Sequence, residues 1–466
     1  MGVEAEEFRR IGHEVVDWIA DYRARVEEFP VRARVEPGWV RSRLGGLGEE
    51  GGDFAGLLDD LERVVLPGTT HWQHPGFYAY FPSNASLPSV LGDLLSSGLG
   101  VQGMLWSTSP AATEVEQHLM DELVGAMGLP ERFLGGGVIQ DTASSAALVA
   151  VLAALHRSSG GKWRQSGVDG SEAVYVSSQT HSSIERAARV AGLGEQAVRS
   201  IPVDPATLAM DVGALAERLR ADVAAGRRPV LVCATIGTTG TGAVDPVREV
   251  AALCAEHGAW LHVDAAWAGP AALCPEFRAL FDGVELADSF TANAHKWMLT
   301  AFDLSLFWTA HPNVLVDALT ILPEYLRNSA TESGAVVDYR DWQIPLGRRF
   351  RALKLWSVLR WYGLGGVRAH LRGHVALAAL LESWVEADER WELVAPRSLS
   401  LVAIAHRDGD GATRAAMDRV NASGEAFVTH TTVNGRFAVR VAIGAEGTRE
   451  HHVRALWEAL RAGGGS

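Results

Sequence analysis

Cysteine is scarce, with only Cys233, Cys254 and Cys274 in 466 residues. They lack metal-ligand spacing, and so few, odd in number, exclude a disulfide framework and point to reduced thiols packed in the core of a cytoplasmic protein. Long apolar runs are missing too: nothing approaches the roughly 20 apolar residues of a membrane helix, and residues 1–10 are charged. A soluble, unexported protein is expected. No basic patch interrupts a net charge of −14, which argues against nucleic acid as partner. No internal repeat is present. What remains is an ordinary soluble composition and enough chain for a large core in two or three structural units.

Taken in order, residues 4–28 place Phe8, Ile11, Val15, Trp18, Ile19, Tyr22 and Val26 at helical spacing opposite a charged face, and Pro30 ends the helix. A second helix is expected from an Asp53 N-cap, with Phe54, Leu57, Leu58, Leu61 and Val64 inward. Residues 71–86 are dense in aromatics but follow neither helix nor strand period, so they read as a loop forming a pocket wall. Ser109-Pro110 opens a helix reaching about Met127. Gly135-Gly136-Gly137 leads into a strand at 138–140, then Asp141-Thr142-Ala143-Ser144-Ser145 and an apolar helix at 146–155. That sequence of strand, small polar residues and helix N-terminus suits a phosphate, although an ordinary helix cap has the same pattern.

Strands at 173–178, 229–235, 259–263 and 306–309 alternate with helices at 181–191 and 246–256. This predicts an α/β chain with a mostly parallel central sheet, helices on both faces, and ligands at the carboxyl ends of strands. His181, Thr239 and Asp264 all fall at or just beyond such ends. After Arg349, two helices, three strands at 399–404, 426–433 and 437–442 and a last helix predict a small α+β unit in which nothing looks catalytic.

The chain is organised around residues 261–297. Asp264 ends an apolar strand, and a carboxylate buried there needs a cation. Lys296 follows 32 residues on, among Trp297, Met298 and Leu299, where burial would lower its pKa and leave a nucleophilic amine. A plain buried ion pair accounts for two such residues. Pyridoxal phosphate between them, linked to Lys296 and with Asp264 at its ring nitrogen, accounts for both oddities together.

The strings His262-Val263-Asp264-Ala265-Ala266 and Asn293-Ala294-His295-Lys296-Trp297, with His71-Trp72-Gln73-His74-Pro75 and Asp341-Trp342-Gln343-Ile344-Pro345-Leu346-Gly347-Arg348-Arg349-Phe350, closely resemble the group II pyridoxal-phosphate decarboxylases, the family of aromatic-L-amino-acid decarboxylases. The resemblance runs from about Phe8 to Trp457. It implies the type I fold of pyridoxal-phosphate enzymes (aspartate aminotransferase-like), with an N-terminal helical arm for dimerisation at 1–85, a large cofactor-binding domain at 86–350 and a small α+β domain at 351–466. It implies pyridoxal 5'-phosphate, no metal, and a homodimer with its active site at the subunit interface. The implied reaction is decarboxylation of an aromatic L-amino acid (tryptophan, 5-hydroxytryptophan, DOPA, tyrosine or phenylalanine) to its amine.

By the same resemblance Thr142, Ala143 and Ser144, with Ser289, Asn293 and His295, surround the phosphate. His181 stacks on the pyridine ring, Ala266 supports its other face, and Thr239 lies near ring and substrate. Trp72, Tyr80, Phe81, Pro82, Gln102, Met104 and Gly347 receive the substrate's aromatic group. Tyr325 opens a polar segment expected to move as a lid and returns a proton to Cα. Five departures stand out: Asp141 and Ser145 replace the usual Gly and Glu, Trp267 replaces a Tyr, and Gln102 and Met104 stand where animal members have bulkier residues. Gly347 replaces the Ser of members handling phenols alone or imidazole, so an indole should fit. Three alternatives remain open. An acidic-substrate decarboxylase needs a cation facing the side chain, an aldehyde synthase is expected to have Phe in place of Tyr325, and a cofactor-free binding protein needs only a paired Asp264 and Lys296.

Overall fold

Seven strands form the larger sheet: β1 (Gly137–Gln140), β2 (Glu172–Ser177), β3 (Val198–Ile201), β4 (Arg228–Thr235), β5 (Trp260–Asp264), β6 (Ser289–Asn293) and β7 (Ser305–Thr309). In the computed structural model, which describes residues 3–46, 49, 54–321 and 336–462, their order is β1-β7-β6-β5-β4-β2-β3. The run from β3 to β6 is parallel, and β7 lies antiparallel to both β6 and β1. Every residue of β5 is buried. Along β4, Leu231 and Cys233 join the apolar cluster on one face while Val232 and Ala234 join that on the other. A strand covered on both faces has no solvated side, hence its continuous apolar run.

The expected alternation of strands and helices is present, with two further strands that the sequence pattern hides. β3 is only half-buried, and β6 reads Ser-Phe-Thr-Ala-Asn, without an apolar run, yet is buried throughout. A helix of 35 residues, Ala352–Glu386, then breaks at Gly363, whose φ of 63° is left-handed. It carries the chain to a second, antiparallel sheet of order β10-β11-β9-β8, comprising β8 (Trp391–Leu393), β9 (Leu401–His406), β10 (Thr429–Val433) and β11 (Arg436–Ala442). That sheet closes its own apolar core with Trp391, Val439 and Trp457. Among the described residues no helix is long and apolar enough to cross a membrane.

The N-terminal arm leaves its apolar stripe uncovered by its own chain. Helix α1 (Ala5–Ala24) has no buried residue, and Phe8 is exposed. Its last turns bond to the rest of the chain through Trp18 to Glu62 (2.8 Å), Tyr22 to His71 (2.9 Å) and Arg23 to Glu446 (3.1 Å). In α2 (Phe54–Asp60) and the wider turn that follows, Val64 is buried but Phe54 and Leu57 are exposed, contrary to the expected inward set. Asp53, the expected cap, lies outside the described residues.

Asp288 fixes the register that positions the site. Its carboxylate accepts from Arg157 (2.8 and 3.2 Å), His311 (2.7 Å) and the backbone N–H of Leu261 (2.7 Å), tying β5 and the start of β6 to α5 (Ala143–Ser159), the helix that follows α3 (Leu87–Leu99) and α4 (Pro110–Met127). Burial pushes its pKa up, but the His311 and Arg157 bonds outweigh burial and the net shift is downward. Asp288→Asn should therefore destabilise the fold by about 3 kcal/mol at neutral pH. A depressed folded pKa contributes stability above the unfolded value of about 3.9 and loses it as pH falls through the folded one. The gap in denaturation midpoint between parent and variant should shrink on acidification below that point.

Candidate active site

A cavity of about 720 Å³ opens past the carboxyl ends of the parallel strands, with Trp72, Tyr80, Phe81, His181, Thr239, His295 and Lys296 in its wall. His181 comes four residues after β2, Thr239 four after β4 and Lys296 three after β6. The turn carrying Thr239 needs Gly237, whose φ is 87° and where a Cβ would lie 2.7 Å from that of Ala268.

The chain leaves β6 through one helical turn, Ala294–Trp297, that puts Lys296 in the wall. Its backbone is pinned from several sides. Asn84 donates to the carbonyls of Lys296 (2.7 Å) and Gly444 (2.8 Å), and Ser83 donates to that of His295 (3.1 Å). Asn293 takes the Ser305 hydroxyl (2.5 Å) and gives its N–H to Ala266 (2.9 Å). The aromatic loop is thus at once a cavity wall and a brace for the lysine.

Burial lowers the Lys296 pKa to about 8, with Asp264 opposing and Arg440 adding to the shift. Asp264 feels the amine but does not pair with it: no carboxylate of the described residues lies within 4.0 Å of Lys296 Nζ. Asp264 Oδ1 instead takes the Ala266 N–H (2.9 Å). A simple buried ion pair is therefore not what the structure contains. His181 accepts the Ser183 N–H at Nδ1 (3.2 Å), which leaves Nε2 to carry the proton of the neutral ring. Burial lowers its pKa, Asp264 opposes, and Lys296 adds to the lowering. His295 is driven down to about 3 by burial and by Lys296, so it is a neutral ring beside the amine.

At α5 the N-cap is Thr142, whose hydroxyl takes the Ser145 N–H (3.5 Å). Ala143 and Ser144 begin the helix, where backbone N–H groups have no intrahelical acceptor. Asp141 Oδ1 takes the Thr142 N–H (2.5 Å).

Several expected contributors are elsewhere. Ser289 starts β6, with its hydroxyl between Trp260 Nε1 and His262 Nδ1, both at 2.8 Å, and does not reach the cavity wall. Pro82 is buried against Gly444 rather than facing the cavity. Gln102 and Gly347 line a second, separate cavity of about 290 Å³ with Asp141, Arg348 and Arg351. There the Gln102 side chain takes the Arg348 N–H (2.7 Å), and Met104 accepts at its carbonyl from Arg340 (3.0 Å). Tyr325 lies outside the described residues.

Two residues gain a place that sequence reading did not supply. Trp267 stacks between Phe81 (4.5 Å, 15°) and Trp297 (5.5 Å, 19°). Arg440 of β11 reaches into the same region from the small sheet, whose sequence had suggested no role. A cation flanked by Val439 and Val441 in a strand paired on both sides is the signal that would have found it.

The residues suit pyridoxal phosphate. A poised amine, a carboxylate held apart from it and a helix N-terminus match the cofactor's aldehyde, ring nitrogen and phosphate in kind. Comparison with known proteins agrees. Residues 47–407 match the model of the pyridoxal-dependent decarboxylase conserved domain. Tryptophan decarboxylase 2 of Oryza sativa subsp. japonica is 43% identical over 98% of this chain and 95% of its own. Phenylacetaldehyde synthase of Arabidopsis thaliana is likewise 43% identical, over 98% of this chain and 96% of its own. The crystal structure of Oryza sativa TDC with PLP and tryptamine superposes with a TM-score of 0.95 at 41% identity, covering 99% of this chain and 98% of that one.

A lysine held near pKa 8 should capture a carbonyl reagent at a rate that rises with pH and levels off above about 8, rather than near an ordinary lysine's 10.5. Stopped-flow absorbance with pyridoxal checks the midpoint, and Lys296→Ala should abolish the signal.

Proposed function

Because this chain belongs to the pyridoxal-dependent decarboxylases, carboxy-lyases that use pyridoxal 5'-phosphate, we propose that it converts aromatic L-amino acids, tryptophan among them, to arylalkylamines and carbon dioxide. The observation that carries this reading is the cavity wall: Trp72, Tyr80, Phe81 and Phe302 share it with Lys296, and among the described lining residues no arginine faces an acidic side chain. An aromatic ring therefore finds apolar faces, whereas a second carboxylate would be left unpaired.

Lys296 would hold the cofactor, Asp264 would keep a negative charge at its ring nitrogen, and His181 with Ala266 would bracket the ring. Thr142, Ala143 and Ser144, with Asn293 and His295, would hold the phosphate. The cofactor, once bound, supplies the sink for the electron pair released when the bond from Cα to the carboxylate breaks. Thr239 and the aromatic wall orient the substrate, and Tyr325 returns a proton to Cα.

The reading includes a homodimer in a reducing, cytoplasmic setting. Its supports are the uncovered α1, the exposed Leu87, Leu91, Leu94, Leu95 and Leu99 along α3 (Leu87–Leu99), and the exposed Trp361. So large an apolar face suits a second copy. Gln102, Met104 and Gly347, remote from Lys296 within one chain, would then complete the partner's cavity. Three free buried thiols suit the compartment.

Incubation with a panel of aromatic amino acids, with products identified by mass, should give amine and carbon dioxide. The Arabidopsis relative named phenylacetaldehyde synthase makes the aldehyde the informative opposite result: aldehyde with hydrogen peroxide would replace this reading. For specificity, a Cβ at Gly347 would lie 3.2 Å from Gln102 Nε2. Gly347→Ser should thus lower the kcat/KM ratio of tryptophan to tyrosine by about tenfold, and an unchanged ratio would remove Gly347 from the pocket.

A further inference from the structure

Arg440 stands in the middle of β11 between apolar neighbours and is 3% exposed. No carboxylate of the described residues pairs with it. Its Nε donates to the carbonyl of Thr239 (2.6 Å), its Nη1 donates to the carbonyl of Tyr80, and its Nη2 has no partner. Its carbon centre lies 4.3 Å from the centroid of the Phe81 ring. Trp267 stacks on Phe81 at 4.5 Å, so the ring is held between an indole and a guanidinium. Burial without a counter-charge lowers the Arg440 pKa to about 9. A buried, incompletely satisfied cation is a poor way to stabilise a sheet. Tyr80 adds a second mark of constraint: its φ is 51°, left-handed for a residue with a side chain, and its carbonyl is one that Arg440 holds.

We propose that Arg440 is a positioning residue of the substrate cavity: one guanidinium, planar and with two donors engaged, holds the Tyr80–Phe81 wall and the Thr239 turn at a fixed separation beside Lys296. The small C-terminal sheet thereby sets the shape of a cavity built mainly by the large one. Lysine could keep the charge but, lacking the rigid fork, could not hold both carbonyls in one geometry. Geometry and charge can therefore be separated by substitution. Among the described residues, the charged and titratable groups facing Lys296 are Asp264 from β5, His181 from the turn after β2, His295 from its own helical turn and Arg440 from β11. Only the last is altered by the test.

The test uses the full-length chain with Arg440→Lys and Arg440→Met, each checked for an unfolding midpoint close to the parent's. The kinetic arm rests on the decarboxylase reading. Arg440→Lys should raise KM for an aromatic amino acid about tenfold while kcat changes less than about threefold. The second arm needs no turnover: the pH midpoint for capture of pyridoxal by Lys296 should stay at the parent value in Arg440→Lys and move upward in Arg440→Met. An unchanged KM in Arg440→Lys, or an unmoved pH midpoint in Arg440→Met, would overturn the assignment and leave Arg440 a packing residue. Should Arg440→Met fail to fold, the KM of Arg440→Lys decides. Should the parent turn over no amino acid, the decarboxylase reading fails on its own, and the two pH midpoints still judge Arg440.

Discussion

Everything around the cavity depends on keeping one amine unpaired. A lysine in an apolar surrounding normally finds a carboxylate, because an isolated buried charge is costly. Here Asp264 is near enough to influence Lys296 yet is engaged by the Ala266 N–H. The amine is left to lower its own charge, and its pKa settles at about 8. That outcome requires the ends of β5 and β6 to be fixed in register. The Asp288 bonds supply this at the opposite ends of the same two strands.

The second constraint is that Gln102 and Gly347 line a cavity separate from that of Lys296. The segment bearing Gly347 is locked in place by Arg348, which makes two 2.6 Å bonds to the buried Glu116 and a third to the Ile139 carbonyl. Glu116 in turn takes the Ile139 N–H (2.7 Å). A buried pair so fully bonded fixes a position more than it adds stability. The Gln102 and Gly347 pocket is accordingly a rigid part of the fold, built against β1 and the start of α5, and not a loose extension of the Lys296 cavity.

Much of this was legible in the chain itself, for identifiable reasons. β4 carries a long apolar run and β5 one broken by His262, Ser109-Pro110 announces a helix, and Asp264 with Lys296 are chemically conspicuous. β6 was not legible as a strand: its serine, threonine and asparagine are buried because neighbouring strands and helices cover them, which no local pattern records. Ser289 drew attention by its place near Lys296 in sequence, but four residues of strand carry it well away from Asn293. A lone arginine in a strand ordinarily points to water, so its type alone does not mark Arg440 as buried. Its burial is decided by residues 201 and 360 positions away.

The aspartate at the entrance to α5 has one more consequence. Its carboxylate already rests on the Thr142 N–H, so the helix end is supplied with an internal anion before any external one arrives. An external anion at the Thr142 N–H would have to displace that carboxylate, exchanging one group for another at the same donor. Docking at that donor would be a contest between two acceptors rather than the filling of a void.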